Sequence, residues 1–180
     1  MNHMPAGYTL RLARVADFAT VRAFYDQLID DMMKLPYHPM WEKDGHPADS
    51  YLRSAIEGGE LWVAEEGATI VGTMVVNSAA NDGYRQVPWQ VEAAPEEVLI
   101  VHAFGVSTRH QGRGLGSAMM REVMALGRAT GKKAIRLDLI DFNRPTEKVY
   151  LRLGFTKCAE LKLYYKEVGW QLFHMFEFAL

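Results

Sequence analysis

Residues 98–128 set three patterns end to end, and their junction restricts this chain more than any other stretch. "VLIVHAFGV" is an apolar run of strand length, "STRHQGRGLG" is a glycine-rich loop, and the residues from Leu115 to Arg128 repeat apolar side chains at helical spacing up to a stop near Gly131. An ordered glycine costs more conformational entropy than other residues. A turn needs one or two, yet Gly112, Gly114 and Gly116 stand at alternate positions, with Arg109 and Arg113 among them. A helix start exposes backbone N–H groups and the positive end of the helix dipole, so a flexible, cationic loop at that point is a device for holding an anion. Ser117 adds a hydroxyl in the first helical turn.

The rest of the chain supplies a sheet around this unit. "YTLRLARV" alternates like a strand, and Phe18, Val21, Tyr25, Leu28 and Met32 mark one face of a helix with Asp17 as its N-cap. "LPYHPMWEKDGHPAD" reads as an irregular connection, after which Asp49 caps a short helix closed by Gly58-Gly59. "ELWVAEE" and "TIVGTMVVNSA" are two strands joined at Gly67, and "NDGYRQVPWQVEAAPEE" is a polar connection long enough to be functional or mobile. Past the glycine loop and its helix come a strand, "AIRLDLI", a short helix begun by Pro145 and ended by Gly154, and two antiparallel strands, "FTKCAELKLYY" and "WQLFHMFEFAL". Strand, two helices, three strands, helix, strand, helix, two strands: this order fits an α/β or α+β mixed sheet with helices on its faces, not a strictly alternating parallel fold.

Bulk properties narrow the function classes. With 180 residues and 49% apolar side chains the chain suits one domain, residues 1–180, with a sizeable core. A formal net charge of −2 gives no global field for nucleic acid, so an anion site must be local. No stretch is long and apolar enough to span a bilayer, no secretion signal is evident, and the single Cys158 suits a reducing compartment; a cytoplasmic protein is expected. His38, His46 and His174 lack spaced metal-ligand partners, so no metal is expected.

Two familiar phosphate loops do not fit. A Walker-type loop needs Gly-Lys followed by Ser or Thr, whereas Gly131-Lys132-Lys133 runs into Ala134. A dinucleotide fingerprint needs a third glycine where Met119 stands, and "STRHQ" separates the strand from Gly112. Asp138, at roughly the spacing of a ribose-binding carboxylate, keeps a dinucleotide-dependent oxidoreductase open as an alternative.

A third class fits better. Gln111-Gly-Arg-Gly-Leu-Gly116 resembles the Gln/Arg-x-x-Gly-x-Gly/Ala loop of the GCN5-related N-acetyltransferase (GNAT) superfamily, and "NRPTEKVYLRLGF" resembles that superfamily's Asn-x-x-Ala-x-x-Leu-Tyr-x-x-x-Gly-Phe segment. Asn143, Tyr150, Gly154 and Phe155 fall at the matching offsets, with Thr146 and Val149 as substitutions. The two blocks span residues 98–155, the acetyl-CoA-binding core that the resemblance implies. It further implies a single-domain fold with a central, mostly antiparallel, splayed sheet flanked by about four helices.

The resemblance also assigns roles. Backbone groups of Phe104 and Val106 pair with the pantetheine arm of acetyl-CoA, and the Val106 N–H polarises the thioester. Gln111, Gly112, Arg113, Gly114, Gly116, Ser117 and Asn143 contribute to cofactor binding, and Tyr150 both contacts the cofactor and serves as general acid towards the departing sulfur. "His102-Ala-Phe-Gly-Val106" is similar to the strand of arylalkylamine acetyltransferases, which makes His102 a base or water relay. Glu96 and Glu97 at the mouth of the strand carrying His102 are alternative bases through water but read as solvated loop carboxylates, as do Asp138 and Asp141 at the end of the next strand. Tyr37, His38, Trp41 and Trp89 are candidates for the wall of the acceptor pocket, the acceptor being an amine of unknown identity. A regulatory domain that binds acetyl-CoA without turnover is the other alternative; neither nucleic acid nor membrane is an expected partner, and a homodimer is left open.

Overall fold

The computed structural model describes residues 3–36, 40–43, 45–166 and 169–180. The elements follow in the expected order: β1 (Tyr8–Leu12), α1 (Phe18–Met32), α2 (Asp49–Glu57), β2 (Leu61–Glu66), β3 (Thr69–Asn77), β4 (Val98–Val106), α3 (Leu115–Ala129), β5 (Ala134–Ile140), α4 (Arg144–Arg152), β6 (Thr156–Tyr165) and β7 (Gly169–Ala179). The strands belong to one seven-stranded sheet in the order β1-β2-β3-β4-β5-β7-β6. Pairing is antiparallel for β1–β2, β2–β3, β5–β7 and β6–β7, and parallel for β4–β5, whose ladder runs only over Val98–Ile100 against Ala134–Arg136. This is the mixed sheet that the element order calls for, with the mostly antiparallel pairing and four helices that the resemblance implies.

The chain forms two compact units. The first takes in β1, α1, α2, β2, β3 to Val76, β4 from His102 onward and α3 to Val123; the second comprises residues 77–101 and 124–180, with Met40. In the first, the face of α1 marked by Val21, Tyr25 and Leu28 packs with Leu52 and Ile56 of α2 and with Leu61, Val63 and Val75 of the strands, all buried. Phe18 and Met32, the ends of the same helical stripe, are only partly buried at its margin. In the second unit Val98, Ile100, Ile140, Leu163, Phe173 and Met175 form the core with Tyr84 and Val87.

Of the two expected helix caps, Asp17 keeps its position without a capping bond and Asp49 is displaced. Asp17 precedes α1 but makes no side-chain cap bond; its carboxylate receives the Arg14 N–H and the Arg11 guanidinium instead. That guanidinium holds the Asp17 carboxyl below its ordinary value of 3.8. Asp49 lies one residue inside α2, where its charge still faces the favourable end of the dipole. The connection at residues 81–97, expected to be functional or mobile, is bonded down along much of its length. Glu177 of β7, 3% exposed, accepts from the Gln90 and Val91 N–H groups and from Arg136, whose guanidinium also donates to the Val91 carbonyl.

Candidate active site

The distinctive part of the first unit is the second half of β4. Burial alternates there, with His102, Phe104 and Val106 half-buried between buried Ala103 and Gly105. The strand is not regular, however: Ala103 has φ +47°, in the left-handed region that costs a non-glycine residue roughly 1–2 kcal/mol. Its carbonyl is held at 2.6 Å by the hydroxyl of Tyr25, a fully buried residue of α1. Two residues on, the backbone runs so close to α1 that a Cβ on Gly105 would stand 2.5 Å from Leu28. Trp41 comes to 3.5 Å of the same point and packs edge-on to Tyr25, centroids 5.6 Å apart, so this candidate pocket residue is partly a core residue.

The glycine loop continues from β4 through a 3₁₀ turn, Thr108–His110. The Ser107 N–H donates to the Val71 carbonyl and the Thr108 hydroxyl to Asp31, which fixes the loop entrance. Gln111, expected to face the cofactor, turns its side-chain amide back onto the Val106 carbonyl at 3.1 Å. Gly112 and Gly114 have φ +75° and +80°, and a Cβ on either would meet nothing within 4 Å. Conformation, not crowding, demands glycine at both. Gly116 already belongs to α3, where Gly114 provides the first carbonyl, accepting from the Ala118 N–H. The N–H groups of the first helical turn have no partner inside the helix. Arg109 and Arg113 are exposed beside this turn and form no ion pair among the described residues, while Ser117 is half-buried in it. The result is a helix start whose first donors the helix itself does not use, beside two cations with no ion pair among the described residues.

The second unit holds the other expected residues. Tyr150, on α4, is 5% exposed, with its ring 5.6 Å from Phe155 and 5.8 Å from Phe176. Burial, and secondarily the charge of Asp138, push its hydroxyl well above the ordinary value of 10, so it stays protonated at neutral pH. Asn143 is the N-cap of α4 by position, its carbonyl accepting from the Glu147 N–H and its side chain making no cap bond. Trp89 is packed against the core, with the Arg136 guanidinium 4.5 Å above its ring and its indole N–H on the Tyr84 carbonyl. Tyr37 and His38 lie outside the described residues.

One carboxylate reading needs correction, and two others gain partners. Asp138 is no loop residue: it is half-buried within β5, and its Oδ2 accepts from Tyr84 at 2.9 Å and from Tyr165 at 2.7 Å. Asp141 contacts His174 at 2.7 Å and Arg144 at 3.0 Å, and Glu97 contacts Lys133 at 2.9 Å. His174, with no ligand-like spacing in sequence, is 1% exposed between Asp141, Glu147 and Glu160, partners on three separate segments; among the described residues no group of side chains suits a metal ion. Nor is any described helix long and apolar enough to cross a membrane. The Tyr25 hydroxyl and the Glu177 carboxylate went unseen in the sequence because each acts on distant backbone and belongs to no local motif.

The loop at a helix start and the segment bearing Tyr150 both lie within residues 23–155, which match the model of the acetyltransferase (GNAT) family. The chain belongs to that family. Among relatives, N-acetyltransferase 8B of Mus musculus is 26% identical over 123 residues, covering 68% of this chain and 47% of that protein. The chain thus spans about half the length of the curated relatives it matches. Solved GNAT structures share the fold. An acetyltransferase from Streptococcus agalactiae superposes with a TM-score of 0.79 at 16% identity, covering 97% of this chain and 96% of that one. YncA of Salmonella typhimurium, solved with its cofactor acetyl-CoA, has a TM-score of 0.68 at 20% identity and covers 97% and 94%.

Proposed function

We propose that this GNAT protein transfers the acetyl group of acetyl-CoA to a primary amine. The observation that carries this reading is the start of α3: Gly112 and Gly114 at positive φ, first-turn amides without helical partners, and Arg109 and Arg113 with no ion pair among the described residues. Such a start suits the pyrophosphate of coenzyme A, with full charges from the arginines and donors from the backbone and Ser117. The side chain of Gln111 supports the loop by holding it to the end of β4.

In the proposed reaction the free amine nitrogen attacks the thioester carbon, a C–N bond forms, and the C–S bond breaks with its electron pair going to sulfur. The nitrogen gives up one proton, through His102, and keeps the other as the amide N–H, while Tyr150 offers its O–H to the sulfur as charge builds there. The backbone of Phe104 and Val106 holds the arm of the donor, with the Val106 N–H directed at the carbonyl oxygen. Asn143 supports the start of the helix that carries Tyr150. Tyr37, His38, Trp41 and Trp89 remain candidates for contacts with the acceptor; Trp41 and Trp89 are each packed against the core of their own unit.

Calorimetric titration with coenzyme A and acetyl-CoA, with NAD(H) and NADP(H) as controls, tests the reading. Micromolar coenzyme A binding followed by amine-dependent thiol release is the expected result. Dinucleotide binding, or acetyl-CoA binding without release of thiol to any amine, would replace it with the oxidoreductase or the regulatory reading.

A further inference from the structure

The carboxylate of Asp138 is an electrostatic exception in the second unit. The other buried or half-buried carboxylates of that unit all have a cationic neighbour: Glu97 has Lys133, Asp141 and Glu147 have Arg144, and Glu177 has Arg136. Asp138 has none among the described residues. Its hydrogen bonds come from two neutral hydroxyls, those of Tyr84 and Tyr165, and both end on Oδ2. A carboxylate offers about four acceptor positions, so Oδ1 retains its full capacity.

The surroundings sharpen the contrast. Tyr84 is 4% exposed, and its ring lies 5.5 Å from that of Trp89; Tyr165 stacks edge-on to Phe173 at 5.3 Å. A negative charge among aromatic rings, oriented by two hydroxyls and lacking a cation, is poorly solvated by its own protein and well suited to an external ammonium. Asp138 is also within electrostatic reach of Tyr150, whose hydroxyl it helps keep protonated.

We infer that Asp138, held by Tyr84 and Tyr165, is a specificity-determining residue that binds an ammonium group of the acceptor, and that this ammonium is not the nitrogen that becomes acetylated. The second half follows from charge. A carboxylate at close range favours the protonated form of an amine, and an ordinary alkylammonium already titrates near 10, so the nitrogen paired with Asp138 is the one kept from attacking. The substrate class is therefore a small amine with two cationic nitrogens, one anchored and one reactive. This rests on the acetyl-transfer reading.

The test compares matched alkyl monoamines, amino alcohols and α,ω-diamines of increasing length as acceptors, following thiol release. The wild-type protein is expected to show a KM at least tenfold lower for some diamine than for the monoamine and amino alcohol of the same length. Asp138→Asn is expected to remove that preference by raising the diamine KM, with the monoamine KM nearly unchanged and acetyl-CoA affinity retained in calorimetry. Tyr165→Phe, which deletes one hydroxyl from the surface of the cluster, is expected to weaken the preference partially and provides a second readout if Asp138→Asn folds poorly. Equal KM values for monoamines and diamines in the wild-type protein would overturn the inference while leaving acetyl transfer intact. A diamine preference that survives Asp138→Asn would overturn it as well. Failure to bind acetyl-CoA would remove the reading beneath it.

Discussion

Tyr25 illustrates how much one hydroxyl can do when the backbone is strained. The left-handed Ala103 persists within β4 because its carbonyl has a short bond to a hydroxyl carried by a buried helix. Tyr25→Phe keeps the ring and its packing on Trp41 but leaves that carbonyl without its donor. We expect a loss of about 1–3 kcal/mol in denaturant unfolding, together with weaker acetyl-CoA binding in calorimetry. Nothing in the sequence discloses this bond, which joins residues 78 positions apart; the helical spacing identifies Tyr25 only as a core residue. Tyr150 is the opposite case, legible from its offset to Asn143. Its burial and its neighbours Phe155 and Phe176 are visible only in three dimensions. Tyr150→Phe preserves those ring contacts and removes the proton. A fall in kcat of about a hundredfold, the scale of lost general-acid help, is expected with coenzyme A affinity unchanged. Equal losses of both would mark Tyr150 as structural.

At the scale of elements, the glycine loop answers the question its composition raises, but its three glycines are not equivalent. Gly112 and Gly114 are fixed by positive φ, so Gly114→Val places a β-branched residue in the left-handed region and is expected to abolish measurable coenzyme A binding in calorimetry. Gly116 is helical, and a Cβ there meets Phe104 and Val106 at an ordinary 3.6 Å. Gly116→Ala should therefore hold or raise the melting temperature through better helix propensity, worth about 1 kcal/mol. Calorimetry on that variant then reads only how closely the ligand approaches the helix. The connection at residues 81–97 was harder to read, because its polar composition looks like a loop in solvent. Its order comes from β7, where Glu177 stands between Phe176 and Phe178 and binds Arg136 and two backbone N–H groups. Glu177→Ala strands a guanidinium that is mostly buried along with both donors, and a loss of about 3–5 kcal/mol in unfolding free energy is expected.

For the molecule as a whole, the order of strands and helices was legible because hydrophobic periodicity changes cleanly at each boundary, as at Val106 and Leu115. Sheet order was not, since the placing of β7 between β5 and β6 depends on pairing between distant segments. Charge acts at this scale too. Asp17, Asp31, Glu97, Glu147 and Glu160 all have carboxyl groups shifted below their ordinary values, by bonds from Arg11, Thr108, Lys133, Arg144 and Lys157 among others, although burial opposes the shift at Glu147. A group shifted this way binds fewer protons folded than unfolded, so its contribution is complete above the ordinary 3.8 or 4.5 and is lost as pH falls through the lower folded value. Urea midpoints are therefore expected to be flat from pH 7 to about 5 and to drop steeply below about 4.

The two compact units also carry a consequence for how the protein is made. The first unit needs β4 from His102 and α3 to Val123, while Val98 and Ile100, just upstream, belong to the core of the second. A ribosome must therefore deliver about two thirds of the chain before the first unit can close, with apolar residues 98–101 waiting for partners not yet synthesised. At the usual roughly 5–20 residues per second, that leaves seconds of exposure in which a nascent strand invites chaperone binding.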